Sequence, residues 1–290
     1  MCLLKNLLWK KSLCITIIRL GENMNIFIYE FKMYVKSVLA WSISIMALLT
    51  MFMAFYPTFG SDVAIMDKIL ENYPKELLKI MGMNTGMSLS SVLGYFVFVF
   101  VFIQLCIAIQ ASNYGFSFLS VEERELTADF LMSKPVSRSK ILVSKFLAAL
   151  LALTITNAVL WITSFTTIAI FSEGKDYNIN NLILLLLTIG VFQLFFMSIG
   201  MIISVSVKKI RSVLSFSMAL SFGLYILNAL RNIFGGELLG ILTPFYHFEP
   251  GYILEKGQYN LPLVFISIGI IIISIVATYI LYLKRNIHTL

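Results

Sequence analysis

Few residues in this chain could do covalent chemistry, and those few do not stand at working spacings. Its two histidines, His247 and His288, have no partner at metal-ligand spacing. Cys2, Cys14 and Cys106 are scattered, one of them inside an apolar run, which suits neither a disulfide framework nor a metal cluster. Glu122-Glu123 is an adjacent acidic pair that invites an intramembrane-protease reading through Glu-Glu-x-x-x-Arg. Position 127 is Thr where that pattern needs Arg, and the histidines of such a site are missing. There is no Gly-x-x-x-x-Gly-Lys-[Ser/Thr] to cradle nucleotide phosphates, and no Gly-x-Ser-x-Gly or His-Glu-x-x-His. These residues predict a chain that binds no metal and is not itself an enzyme.

The acidic pair has a different use in its own surroundings. Leu119–Lys145 is the long charged segment lying between two strongly apolar ones. Ser120 and Glu123 have capping-box spacing, and Glu122, Glu123 and Glu125 then fall in a first helical turn, where the helix dipole favours acids. Leu119, Leu126 and Phe130 share one face at helical spacing, so a short amphipathic helix is expected there. Pro135 ends it, and Ser137 can cap a following helix whose first turns carry Arg138, Lys140 and Lys145. Such a helix, wedged between two membrane spans, suits the docking of a soluble partner. An ordinary solvated loop is the plain alternative.

The elements around it are set by composition. Of 290 residues, 59% are hydrophobic and 13% charged, outside the balance of a soluble globular domain. A helix needs about 20 apolar residues to cross a bilayer. Six runs qualify, at about 38–56, 92–111, 146–171, 182–205, 213–230 and 262–283, with Trp41 and Tyr56 placed as interfacial anchors of the first. Ahead of them, Asn25–Lys36 mixes Phe27, Phe31 and other apolar residues with Glu30, Lys32 and Lys36, the pattern of a helix lying in the membrane interface. Leu70–Gly82 reads as a short amphipathic helix within the loop 57–90, and Asn232–Leu261 as a loop. Residues 1–23 read as a mis-assigned N-terminal extension, with Met24 as the natural start; 24–290 is then a single six-helix domain.

Six spans place both termini on one side. Of the 22 lysines and arginines, 16 fall on that side and 6 on the other, so the positive-inside rule makes both termini, and Leu119–Lys145 with them, cytoplasmic. The net charge of +7 follows this topology and does not imply nucleic acid. The span cores hold no Asp, Glu, Lys or Arg, which disfavours a proton-coupled secondary transporter. Their polar residues, Gln104, Gln110, Asn157, Gln193 and Asn228, are expected to hydrogen-bond between helices ahead of any substrate contact.

Glu122-Glu123, Arg124, Leu126-Thr127, Phe130-Leu131, the run Ser133–Arg138 with Pro135 inside it, and Lys145 together resemble the first cytoplasmic loop of type-2 ABC-exporter permeases. Glu125-Leu126 stands where the family commonly has Gly. Thr243–Pro250 before the last span and the ending Leu283–Ile287 fit the same family, with Thr243 and Asn286 as small departures.

The resemblance implies an all-α polytopic membrane protein with an N-terminal elbow helix (Phe27, Glu30, Phe31, Lys32) and a coupling helix between spans 2 and 3. It implies a multi-pass protein of the cell membrane working with a cytoplasmic ATPase subunit and a second permease copy, as homodimer or heterodimer. This chain would then bind no cofactor itself, with ATP and Mg on the ATPase. Glu122–Met132 would seat in the ATPase, Leu126, Phe130 and Leu131 as apolar anchors, Glu122, Glu123, Arg124 and Asp129 for charge. The alternative function is a membrane-anchored interaction or immunity protein that transports nothing.

Overall fold

A computed structural model describes residues 2–60, 89–125, 137–207 and 210–284, with the backbone alone at 2–25, 59–60, 119–125 and 237–238. Apolar runs become helices because a chain in hydrocarbon must satisfy its own backbone N–H and C=O groups. The elements are α1 (Cys2–Ala54), α2 (Tyr56–Gly60), α3 (Val92–Glu125), α4 (Arg138–Phe171), α5 (Ile179–Ser206), α6 (Val213–Phe234), α7 (Glu237–Ile241), α8 (Pro244–His247), α9 (Pro250–Lys256) and α10 (Leu261–Lys284). There is no strand among the described residues. Among the described residues, six segments are long and apolar enough to span: Ile26–Thr58, Val92–Phe118, Arg138–Phe171, Ile179–Ser206, Val213–Phe234 and Leu261–Lys284. This is a multi-pass, all-helical membrane protein.

α3 and α5 form the centre. In α3, 78% of the most apolar window is buried within the chain, against 11% in α6. The two central helices run in the same direction, one span apart, and touch backbone to backbone. A Cβ on Gly115 would collide with the Met197 carbonyl oxygen, and one on Gly200 would lie 3.0 Å from the Ser112 carbonyl oxygen. Small residues at a crossing are what lets helices approach where no hydrophobic force drives them together. The Ser204 hydroxyl donates to the Phe116 carbonyl (3.1 Å) across this contact. α1 packs along α4, α6 lies on α3, and α10 lies on α5.

Alternation of spans gives the bundle two ends. One, the junction end, holds the starts of α4 and α6, the residue-26 end of the first span, and the ends of α3 and α5. The other, the cap end, carries the short helices α7 to α9. Pro244 and Pro250 open α8 and α9 from the first helical position, where a missing N–H removes no bond.

Several expectations change here. The segment expected as an elbow is not set off from span 1 by a helix break: α1 is one continuous helix through Asn25–Lys36. Likewise α3 continues through Ser120 to Glu125, which puts Ser120 inside a helix and removes the expected capping-box start. Phe116–Glu125 holds neither Gly nor Pro that would stop α3 before the acids. Ser137 does sit at the N-cap of α4 with extended backbone, yet its side chain makes no cap bond. Tyr56 is buried within the chain: its hydroxyl donates to the Ser90 carbonyl (2.9 Å) and its ring packs 5.4 Å from Tyr95. The proposed helix at 70–82 lies outside the described residues.

The loop expected at 232–261 also differs, since it folds back into the cap end. Gln104, about three turns into α3, donates from Nε2 to the Phe248 carbonyl at 3.0 Å. Thr243 Oγ1 donates to the Leu224 carbonyl of α6, ten residues from that helix's end (3.0 Å). Irregular backbone at such depth is tolerated where protein surrounds it, and Phe245, His247 and Phe248 are all buried.

Candidate functional site

Two expected site regions converge at the junction end. Glu30, from the segment expected as an elbow, and Lys145, from the far flank of the charged loop, are both buried, with side chains 6% and 5% exposed. Their Nζ–Oε1 distance is 3.8 Å. Lys145 Nζ also donates to the Phe118 carbonyl at 3.2 Å. Phe118 ends the apolar part of α3, and Lys145 lies two turns into α4. One ammonium therefore ties α1, α3 and α4 together at the point where the chain leaves α3 for residues 126–136 and returns in α4.

The helices explain why this pairing forms. Lys145 follows Ile141 and Leu142 and precedes Ala148 and Ala149, all buried, so it sits on the face that α4 turns inward. Glu30 precedes the inward-facing Val38, Ile45 and Leu49 of α1. An ion pair taken out of water is worth keeping only when both charges are matched and further hydrogen bonds are made, and the Phe118 carbonyl supplies one. Above the pair, the Tyr34 and Tyr114 rings lie 4.7 Å apart between α1 and α3.

The other expected residues are placed as follows. Phe27 and Phe31 stack at 6.4 Å along α1, and Lys32 is exposed. Glu122, Glu123 and Arg124 lie on the last turns of α3, where the backbone alone is described. Leu126, Thr127, Phe130, Leu131 and Pro135 lie outside the described residues. Arg138 is the first residue of α4, half-buried. Sequence reasoning missed the Glu30–Lys145 pair. Its one signal was an isolated charge at the edge of each of two apolar runs, since such a charge needs a partner.

Along the bundle axis the span polar residues divide. Gln110 Nε2 donates to Thr156 Oγ1 of α4 (2.9 Å), and Ser112 and Ser221 hydroxyls meet at 3.3 Å between α3 and α6. With Gln104, these are the interhelical bonds expected. Gln193 is different: it is buried in α5 and neither end of its amide has a hydrogen-bond partner among the described residues. Asn157 and Asn228 each leave their amide oxygen unpaired in the same sense.

At the cap end, Phe192, Phe196 and Tyr225 surround the Phe245 ring at 5.2–5.7 Å in edge-on contacts. His247 Nε2–H donates to the Ile241 carbonyl (3.0 Å), which leaves Nδ1 to accept from the Ser267 hydroxyl (2.6 Å) in the neutral ring. Burial pushes the His247 pKa below its ordinary value near 6.5, against two backbone hydrogen bonds that favour the charged form. This histidine is a neutral structural tie, and no group of metal-ligating residues occurs among those described.

The family model described as ABC-2 family transporter protein matches residues 24–287, which is nearly the whole chain. Comparison with curated proteins gives no match.

Proposed function

The chain belongs to the ABC-2 family of transporter proteins, and on that premise we propose that it is the permease subunit of an ABC exporter. Permeases of this family are the transmembrane component, not the catalytic one, and work with an ATPase subunit. This chain would form the substrate pathway and stand as a multi-pass protein of the cell membrane with its junction end in the cytoplasm. It would pair with a second permease copy. ATP and Mg would be handled by the separate ATPase, which grips residues 122–132.

The observation that supports this reading is the junction. Residues 126–136 leave from α3 and return through α4, and one buried ammonium binds both helices to each other and to Glu30 of α1. A push on that loop therefore reaches three spans at once, as coupling to an ATPase requires. The apolar anchors Leu126, Phe130 and Leu131 would seat in the ATPase, with Glu122, Glu123, Arg124 and Asp129 providing charge complementarity around them.

The test is affinity purification of the tagged chain from mild detergent. A P-loop ATPase should accompany it, and Leu126→Asp with Phe130→Asp should release that ATPase and stop export while the chain still inserts. A well-behaved sample without any nucleotide-binding partner sinks the exporter reading, as does unchanged export by the double variant.

A further inference from the structure

Beside the junction, on the outer surface of the bundle, a groove of about 500 Å³ runs between α1 and the first turns of α4. Its chemistry is graded along the helix axis. Ser137, Ser139 and Lys140 line one end, Val143 and Ser144 come next, Leu147 lies deepest, and Phe27 lines the groove from α1. From Lys140 to Leu147 is about 10 Å along a helix, and from Lys140 to Ser144 about 6 Å.

Three observations say what occupies such a groove. The polar end carries the Lys140 ammonium and the start of a 34-residue helix, whose N-terminal amides carry partial positive charge and favour phosphate. The Ser137 side chain makes no cap bond there. The apolar end faces outward, with Val143 and Leu147 each 48% exposed on a membrane-spanning helix, where a molecule already in the bilayer reaches it. Between the two, Ser144 is 93% buried, lines the groove, and has no hydrogen-bond partner among the described residues. A helical serine has its own i−4 carbonyl within easy reach; the Ser144 hydroxyl leaves that bond unmade and opens onto the groove.

We infer that this groove binds an anionic phospholipid. The phosphate lies against Lys140 and the α4 amides, the Ser144 hydroxyl donates to a glycerol-ester carbonyl one turn deeper, and an acyl chain covers Val143, Leu147 and Phe27. A soluble phosphate would use the first of these contacts and leave the other two empty. Because α4 begins at Arg138, a bound lipid braces the first turns of that helix. The inference does not depend on the transport reading.

Native mass spectrometry of the full chain, released from nanodiscs of mixed phosphatidylglycerol and phosphatidylcholine, tests it. The wild-type chain should retain phosphatidylglycerol preferentially. Lys140→Gln should cut that preference about fivefold, the size expected for one basic side chain at an anionic surface. Leu147→Trp should reduce lipid retention while keeping every charge; this position is half exposed, so the bundle tolerates the change. Lys36→Gln, on the exposed side of α1, should alter nothing. Equal retention of both lipids overturns the inference, as does an equal effect of Lys36→Gln, which would mean diffuse attraction only. Inorganic phosphate that displaces the lipid as well as short-chain phosphatidylglycerol does would reassign the groove to free phosphate and refute the acyl contact.

Discussion

At the junction end, α1, α3 and α4 meet through an ammonium, a carboxylate and one backbone carbonyl, all buried. At the cap end, α3, α5, α6 and α10 meet around α8 through aromatic edges and neutral hydrogen bonds. The first arrangement responds sharply, because removing either charge leaves the other buried with its charge balance upset. The second is graded, because each ring or hydrogen bond contributes separately and its neighbours can relax around a loss. An end that must transmit force gains from the first kind of tie. An end that must stay closed over an irregular backbone gains from the second.

The sharpest way to break this contrast is at Lys145. Lys145→Met should destabilise the chain by about 4 kcal/mol, within the range for a buried pair that loses one partner. Adding Glu30→Leu should recover most of that in a double-mutant cycle of thermal unfolding in detergent. Additive losses in the cycle would show that the pair is not a unit. At the other end, Phe245→Ala should cost about 3 kcal/mol, near the lower edge for a buried Phe because the surrounding rings can close in. No second substitution among those rings should restore it.

A smaller effect concerns pH. The neutral form of His247 is favoured in the fold, so its contribution is complete above about pH 6.5 and declines as pH falls below that, levelling off under the folded-state pKa. The thermal midpoint should fall with acidification, and His247→Gln should flatten that slope. A midpoint that rises on acidification would reverse the assigned sign. The smallest expected change is Gln104→Leu, about 0.6 kcal/mol for one interhelical hydrogen bond in a membrane protein. A much larger loss would show that the Phe248 carbonyl depends on that single donor.

The spans were legible because length and hydropathy decide them: long apolar runs leave the backbone no alternative to helix. Their ends were less so. Lys145 lies 115 residues from Glu30, and helical spacing identifies a face without identifying what that face meets. The extents of α1 and α3 are less legible for a related reason: charge beside an apolar run suggests a boundary, yet nothing in Asn25–Lys36 or Leu119–Glu125 breaks a helix. Thr243–Pro250 reads as a loop because it is short and holds two prolines; its depth follows from partners on α3, α6 and α10 that are remote in the chain. Gln104 and Gln110 behave as expected of polar residues in spans, whereas Gln193 has found no such partner.

The unbroken course of α3 has a mechanical meaning. Its closest support is the glycine crossing with α5 at Gly115, about 15 Å from Glu125 and about 35 Å from Val92 along the helix axis. A stiff rod pivoting there is a lever with unequal arms, and its long arm moves roughly twice as far as its short one. An ångström of displacement delivered at Glu125 becomes about two at Val92, beneath the folded-back segment on the opposite side of the bilayer.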